Sequence, residues 1–243
     1  MTKIMIEATD IVKVLGEGAG RVDALKGINL SLGGGELTLL MGPSGSGKTT
    51  LLSVLGCMMS PSSGSVRICG RSTKGLGPEA LAGLRRKHVG FVFQSYHLFP
   101  TLTAAENVRL ALDVCGDRSP QARVKADDAL ATVGLSHKAN AFPRELSGGE
   151  QQRVAIARAI VGNPSVVLAD EPTAALDSEN GHAVMTVLAE IAKDPSRALF
   201  IVTHDPRIIP FADRILRIED GRIVSDQQRS EHAGAVHTLK YAS

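Results

Sequence analysis

Five short stretches hold residues whose types and spacing suit chemistry on a phosphate. "GPSGSGKT", followed by Thr50, fits the pattern G-x-x-x-x-G-K-[ST] at Gly42, Gly47, Lys48 and Thr49. Its glycines, Gly42, Gly45 and Gly47, let backbone N–H groups turn inward between Pro43, Ser44 and Ser46 and cradle a β-phosphate. Lys48 brings a point charge to the β- and γ-phosphates, and the Thr49 hydroxyl suits Mg²⁺. "VVLADEP" is an apolar run that ends in two carboxylates. There Asp170 suits the metal, directly or through water, and Glu171 suits the orientation of an attacking water as general base. Taken alone this pair also fits a solvated acidic turn; its weight comes from the phosphate loop upstream. "VGFVFQ" and "ALFIVTH" each end in a polar residue. Gln94 is placed to reach metal and water, and His204 to hydrogen-bond a γ-phosphate. The fifth stretch, "ELSGGEQQRVAIARAI", starts a helix with Ser147 as N-cap and Glu150 in the capping-box position. Helix N-termini bind anions, yet this stretch holds no nucleophile, base or metal cluster. The rest of its site has to come from elsewhere.

The elements that position these residues alternate. Residues 3 to 32 alternate apolar and polar positions around the glycine-rich "GEGAG", which predicts an antiparallel sheet. "ELTLLM" is a strand that enters the phosphate loop and a helix; "SGSVRICG" is a strand, and "GPEALAGLRRKH" a helix before "VGFVFQ". From about Ser95 to Leu146 strand signals stop. Thr103 and Glu106 form a capping box, and Ser119-Pro120 starts a second helix that ends at Gly134. Strand–helix alternation then resumes: "SVVLAD", a helix after Ser178, "ALFIVTH" and a short helix after Asp205. It closes with a hairpin turning on Asp220-Gly221. Polar tips of buried strands are where open α/β sheets put their ligand sites.

The 243 residues suit one large α/β domain. The expected division is 1–228 for that domain, with a helical subdomain of about 95–147 inserted, and 229–243 as a polar tail. The net charge of +2 gives no argument for nucleic acid. No apolar run reaches membrane-span length, and the N-terminus lacks a signal peptide's apolar core. Cys57, Cys69 and Cys115 share no metal-type spacing and are expected as reduced thiols.

In this order the motifs resemble the ATP-binding cassette family: the phosphate loop, Gln94, the signature "LSGGE" from Leu146 to Glu150, Asp170-Glu171, the "ALD" loop ending in Asp177, and His204. The resemblance covers nearly the whole chain. It implies a phosphate-loop NTPase (RecA-like) α/β core with an N-terminal antiparallel β subdomain and an inserted α-helical subdomain. It implies ATP and Mg²⁺ as cofactors and hydrolysis of ATP. It also implies two cassettes closed head to tail, so that Ser147, Gly148 and Gly149 face the nucleotide held by the other subunit. Both half-sites stand in this one sequence, which favours a homodimer; a sister cassette remains an alternative.

Among such cassettes, "KHVGFVFQSYHLFPTLTAAENV" and "VTHDPRIIPFADRILRIEDGRI" resemble the macrolide-exporter and lipoprotein-releasing subfamily. That implies a transporter's ATPase, peripheral on the cytoplasmic face of the membrane and powering a separate membrane permease. A polar amino-acid importer's ATPase, and a soluble cassette without a transporter, are the alternatives. The family's membrane subunit docks near "SYHLF"; Tyr96, Leu98 and Phe99 either face that partner or pack inside the helical subdomain. One departure stands out. The family's adenine-stacking aromatic falls at Leu15, and the first aromatic residue of the chain is Phe91.

Overall fold

A computed structural model describes residues 3–229. β1 (Ile4–Leu15) and β2 (Val22–Gly33) pair antiparallel, from Ile4 opposite Gly33 to Leu15 opposite Val22. β3 (Glu36–Met41) leads through the phosphate loop into α1 (Lys48–Leu55). β4 (Ser63–Ile68) pairs with the other edge of β1, and β5 (Arg71–Ser72) completes a four-stranded sheet in the order β2-β1-β4-β5. The expected antiparallel sheet is therefore present and wider than the first 32 residues alone indicate.

α2 (Pro78–His88) runs into β6 (Val89–Val92). The helical stretch follows: α3 (Ala104–Val114), α4 (Gln121–Thr132) and α5 (Gly148–Ile160). β7 (Val166–Asp170), α6 (Ser178–Ala192), β8 (Ala198–Thr203), β9 (Arg214–Glu219) and β10 (Arg222–Gln228) close the chain. The second sheet has the order β10-β9-β3-β8-β7-β6. Its members pair in parallel except at the β9–β10 hairpin. Asp220 (φ 44°) and Gly221 (φ 73°) turn that hairpin, as a two-residue loop with both central residues at positive φ requires.

The parallel strands are apolar along their length because both faces are covered. Alternation still sorts their side chains. Leu37, Leu39, Val167, Ala169, Leu199 and Ile201 join Val154, Ile156, Val184 and Leu188 of α5 and α6. Leu40, Val166, Leu168, Phe200 and Val202 face the other way, onto α1 and the antiparallel sheet. The phosphate loop thus leaves a strand clamped between two cores.

Three departures have local causes. β6 stops at Val92, so Gln94 lies two residues past the strand, in a turn. The segment after Asp205, Pro206–Phe211, is a 3₁₀ helix, since Pro206 and Pro210 remove two N–H donors. Pro120 sits at the N-cap of α4, not inside its first turn. Of the expected tail only Arg229 falls among the described residues.

Gly90 shows how closely β6 and α5 approach: a Cβ there would stand 2.1 Å from the Ala159 carbonyl oxygen. Backbone cannot yield as a side-chain end can. Gly90→Ala is expected to lower stability by about 1–3 kcal/mol, the cost of overpacking a tight core. A urea midpoint equal to that of the parent chain would contradict this.

Candidate functional site

The phosphate loop needs glycine for reasons visible in its neighbours. Gly47 has φ 102°, and a Cβ there would lie 2.6 Å from the Ala24 carbonyl oxygen. At Gly42 a Cβ would lie 2.2 Å from the Ile218 carbonyl oxygen. The loop is pinned against the antiparallel sheet on one side and β9 on the other. Gly221 N–H donates to the Ser46 carbonyl, which ties in the hairpin turn. Lys48 is buried and donates from Nζ to the carbonyls of Gly42 and Pro43, both at 2.8 Å. Ser46 Oγ is buried without a hydrogen-bond partner among the described residues. That is an orphan polar atom of the kind a ligand satisfies.

β7 delivers Asp170 behind this loop, where Thr49 Oγ1 donates a long, 3.4 Å hydrogen bond to Oδ1. Burial pushes the Asp170 carboxyl above its ordinary value and the neighbouring Glu171 pushes the same way; Thr49 and Lys48 oppose them. A divalent cation between the hydroxyl and the carboxylate would relieve both upward pressures. Hard oxygen donors in this pairing suit Mg²⁺.

Glu171 holds a left-handed backbone (φ 47°), which costs a non-glycine residue about 1–2 kcal/mol. The surroundings over-determine it. Its N–H donates to the Val202 carbonyl, and its Oε2 accepts from Thr203 Oγ1 at 2.9 Å and from His204 N–H at 3.4 Å. Its Oε1 lies 2.6 Å from His204 Nδ1. The carboxylate is therefore aimed by β8, not left to solvent. His204 thus meets Glu171 and also lines the cleft of the phosphate loop. Its Nδ1 side engages Glu171, so only Nε2 remains for a phosphate, and with Nδ1–H directed at the carboxylate Nε2 donates only in the imidazolium form.

A cleft of about 820 Å³ gathers most of these groups, though Gly42, Ser46 and Asp170 are not among the residues that line it. Pro43, Ser44, Gly45, Gly47, Lys48, Thr49 and Thr50 line it together with Gln94, Glu171 and His204. Leu15 and Val22 stand at the rim with Asp23, Ala24, Asp220 and Gly221. Sequence reasoning missed Asp23, Ala24, Thr203, Asp220 and Gly221 as site neighbours. Thr203, a polar residue at the tip of an apolar strand beside His204, carried a signal; the others reach the cleft only through tertiary contacts.

The remaining candidates stand elsewhere. Ser147, Gly148, Gly149 and Asp177 are not among the residues lining the cleft. Ser147 caps α5: its Oγ accepts from Glu150 N–H, and Glu150 Oε2 accepts from Ser147 N–H at 2.8 Å. Those bonds hold the Glu150 carboxyl below its ordinary value. Asp177 caps α6 and accepts from the N–H and side-chain amide of Asn180, both at 2.8 Å. The double glycine has a reason within the chain that the sequence hid. A Cβ on Gly149 would stand 2.3 Å from Asn180 Oδ1, and one on Gly148 would stand 3.0 Å from the Tyr96 hydroxyl.

Beside the Gln94 turn lies a second, mostly apolar groove of about 440 Å³, with Phe91, Phe93, Phe99, Leu110 and Val114 in its wall and Arg85 and Arg86 at its side. The two readings of "SYHLF" divide here: Leu98 packs against the core, while Phe99 is 51% exposed.

The ABC transporter family matches residues 25–174. A macrolide export ATP-binding/permease protein of Burkholderia thailandensis is 45% identical over 235 residues, 97% of this chain and 36% of that protein. The protein so described in Salmonella choleraesuis is 44% identical over 227 residues, 93% of this chain and 35% of its own length. This chain spans about a third of the length of the curated relatives it matches. Among solved structures, the dimeric post-hydrolysis state of the cassette MJ0796 bound to ADP and Pi is 40% identical. It has a TM-score of 0.83 and covers 92% of this chain and 98% of that one. The protein cbiO1 of Clostridium perfringens, part of an ABC transporter complex, is 28% identical with a TM-score of 0.83, over 93% and 89% of the two chains. Sequence and fold agree from the antiparallel sheet to the last hairpin, and the chain belongs to the ABC transporter family as its ATP-binding ATPase cassette.

Proposed function

We propose that two copies of this cassette close head to tail around two ATP molecules, and that the closure drives a separate membrane permease in export or in the extraction of lipid or lipoprotein. One observation carries the reading. The cleft gathers a phosphate loop, a general base and its orienting histidine, while the anion-binding start of α5 lies outside it. An N-terminus built for an anion but lacking a reaction partner in its own chain is completed by a second copy.

In this reading the phosphate-loop N–H groups and Lys48 hold the β- and γ-phosphates. Thr49 and Asp170, with Gln94 at the rim, hold Mg²⁺, which supplies positive charge to the phosphate oxygens. Glu171, fixed by Thr203 and His204, accepts the proton of the attacking water. The second copy's Ser147, Gly148 and Gly149 present hydroxyl and N–H groups to the γ-phosphate, where the helix dipole favours negative charge. Asp177 stands at the same face, at the N-cap of α6. Light scattering of the full chain carrying Glu171→Gln tests the pairing. Saturating ATP with Mg²⁺ is expected to double the particle mass and ADP to leave it unchanged; one-copy mass with ATP would overturn it.

The permease reading is supported by relatives described as ATP-binding/permease proteins and by the apolar groove beside Gln94. No helix among the described residues is long and apolar enough to cross a membrane. The expected station is the cytoplasmic face of the membrane, with the groove turned towards the permease.

The rim of the cleft bears on base choice. Leu15 and the 59%-exposed Val22 offer apolar surface and no π face. Aromatic–base stacking is worth about 1–3 kcal/mol in single-strand binders, while phosphate contacts do not distinguish bases. GTP is therefore expected to be hydrolysed nearly as well as ATP, and Leu15→Tyr to tighten ATP binding. The comparison of kcat/KM for the two nucleotides decides; a strong preference for ATP would show that another group reads the adenine.

A further inference from the structure

Arg158, in the last turn of α5, makes contacts that the hydrolytic machinery above does not use. Its Nη1 donates to the His97 carbonyl at 2.5 Å and its Nη2 to the Tyr96 carbonyl at 2.6 Å. Both acceptors belong to left-handed residues, Tyr96 at φ 56° and His97 at φ 49°. Neither is glycine and Tyr96 is a bulky residue, so two such residues in succession are held by their surroundings. The rigid guanidinium fork suits two carbonyls turned the same way.

Two further observations give that hold a direction. The Tyr96 hydroxyl reaches within 3.0 Å of where a Cβ on Gly148 would stand, at the first residue of α5. Arg158 and His97 are also in the wall of the apolar groove, and the His97 ring packs edge-on to Phe93 with centroids 5.1 Å apart. One loop therefore touches the groove with His97 and the signature turn with Tyr96, and one side chain holds both of these residues' carbonyls.

We propose that Arg158 is a positioning residue: by gripping the Tyr96 and His97 carbonyls it keeps the Tyr96 ring against Gly148, so that the groove and the signature turn move as one body. This rests on the reading in which that turn faces the second copy's nucleotide. Without the grip the loop relaxes out of the left-handed region, Tyr96 withdraws, and the start of α5 loses its lateral support. Occupation of the groove reaches the signature turn by this route without passing through Gln94.

The test uses the full chain carrying Glu171→Gln, in which ATP-dependent pairing is read by light scattering and nucleotide binding to the single copy by a fluorescent ATP analogue at low protein concentration. Adding Arg158→Met is expected to weaken pairing about tenfold, within the range for residues acting through a packed connection, and to leave single-copy nucleotide binding unchanged. Tyr96→Ala is expected to weaken pairing likewise. Adding His97→Gly to the Arg158→Met chain is expected to recover part of the loss, because glycine carries no Cβ penalty in the left-handed region. Pairing unaffected by Arg158→Met or by Tyr96→Ala overturns the proposal, as does a parallel loss of single-copy binding or a failure of His97→Gly to rescue. A parent chain that does not pair with ATP overturns the composite site and the proposal with it; a pairing parent with an indifferent Arg158→Met variant overturns the proposal alone.

Discussion

Glu171→Gln is expected to lower ATP turnover by about two to four orders of magnitude, the range for loss of a general base, with ATP affinity little changed. The amide has the shape of the carboxylate and still accepts from Thr203 Oγ1, whose bond to Glu171 fixes the side chain at 2.9 Å. What it loses is the capacity to take a proton from water. Because His204 Nδ1 sits 2.6 Å from the same carboxylate, His204→Ala is expected to act largely through Glu171. Steady-state turnover and ATP binding, measured on one preparation, separate the two effects. Near-normal turnover in Glu171→Gln would remove Glu171 from the role of base.

Ser147→Arg is expected to lower turnover by at least about two orders of magnitude, the scale on which loss of a preorganised donor acts, without weakening ATP binding to the single copy. Ser147 does not line the cleft that holds the phosphate loop of its own chain, so a lesion there does not touch that loop directly. The substitution removes the hydroxyl that accepts from Glu150 N–H and puts a bulky cation where a facing nucleotide has to approach. The lost N-cap costs roughly 1 kcal/mol of stability, so circular dichroism and the ATP-analogue titration are needed beside the activity assay. Full activity in the Ser147→Arg homodimer would sink the proposed role of the signature helix.

Much of this site was legible in the sequence because its signals are local. The phosphate loop sits between an apolar strand and a helix; the capping boxes at Thr103–Glu106 and Ser147–Glu150 form as their spacing dictates. Asp220-Gly221 specified its own turn through the positive φ that glycine tolerates and aspartate accepts. What stayed hidden depends on contacts between distant segments. Nothing near Tyr96 announces a left-handed residue; its carbonyl is held by Arg158, 62 residues away. Gly149 reads as freedom for an approaching ligand, and the Asn180 side chain of α6 also crowds that space. His204 reads as a phosphate ligand from its place at a strand tip, and its contact with the Glu171 carboxylate, just past β7, shows only in the fold. Leu98 and Phe99 are neighbours of similar hydropathy, and only the packing of the helical segment sends one inward and leaves the other exposed.

The sharing of each site between two copies is tested most directly by mixing two inactive chains, Ser147→Arg and Lys48→Ala. A mixed dimer holds one site with both lesions and one with neither, since the intact phosphate loop of the Ser147→Arg chain meets the intact signature turn of the Lys48→Ala chain. Recovery of ATP turnover on mixing, rising with the fraction of mixed dimers towards half the parent rate per dimer when the two sites fire independently, is the predicted result. Turnover that stays at the sum of the two separate variants at every mixing ratio, with mixed dimers demonstrably formed, would contradict a site built from the phosphate loop of one copy and the signature helix of the other.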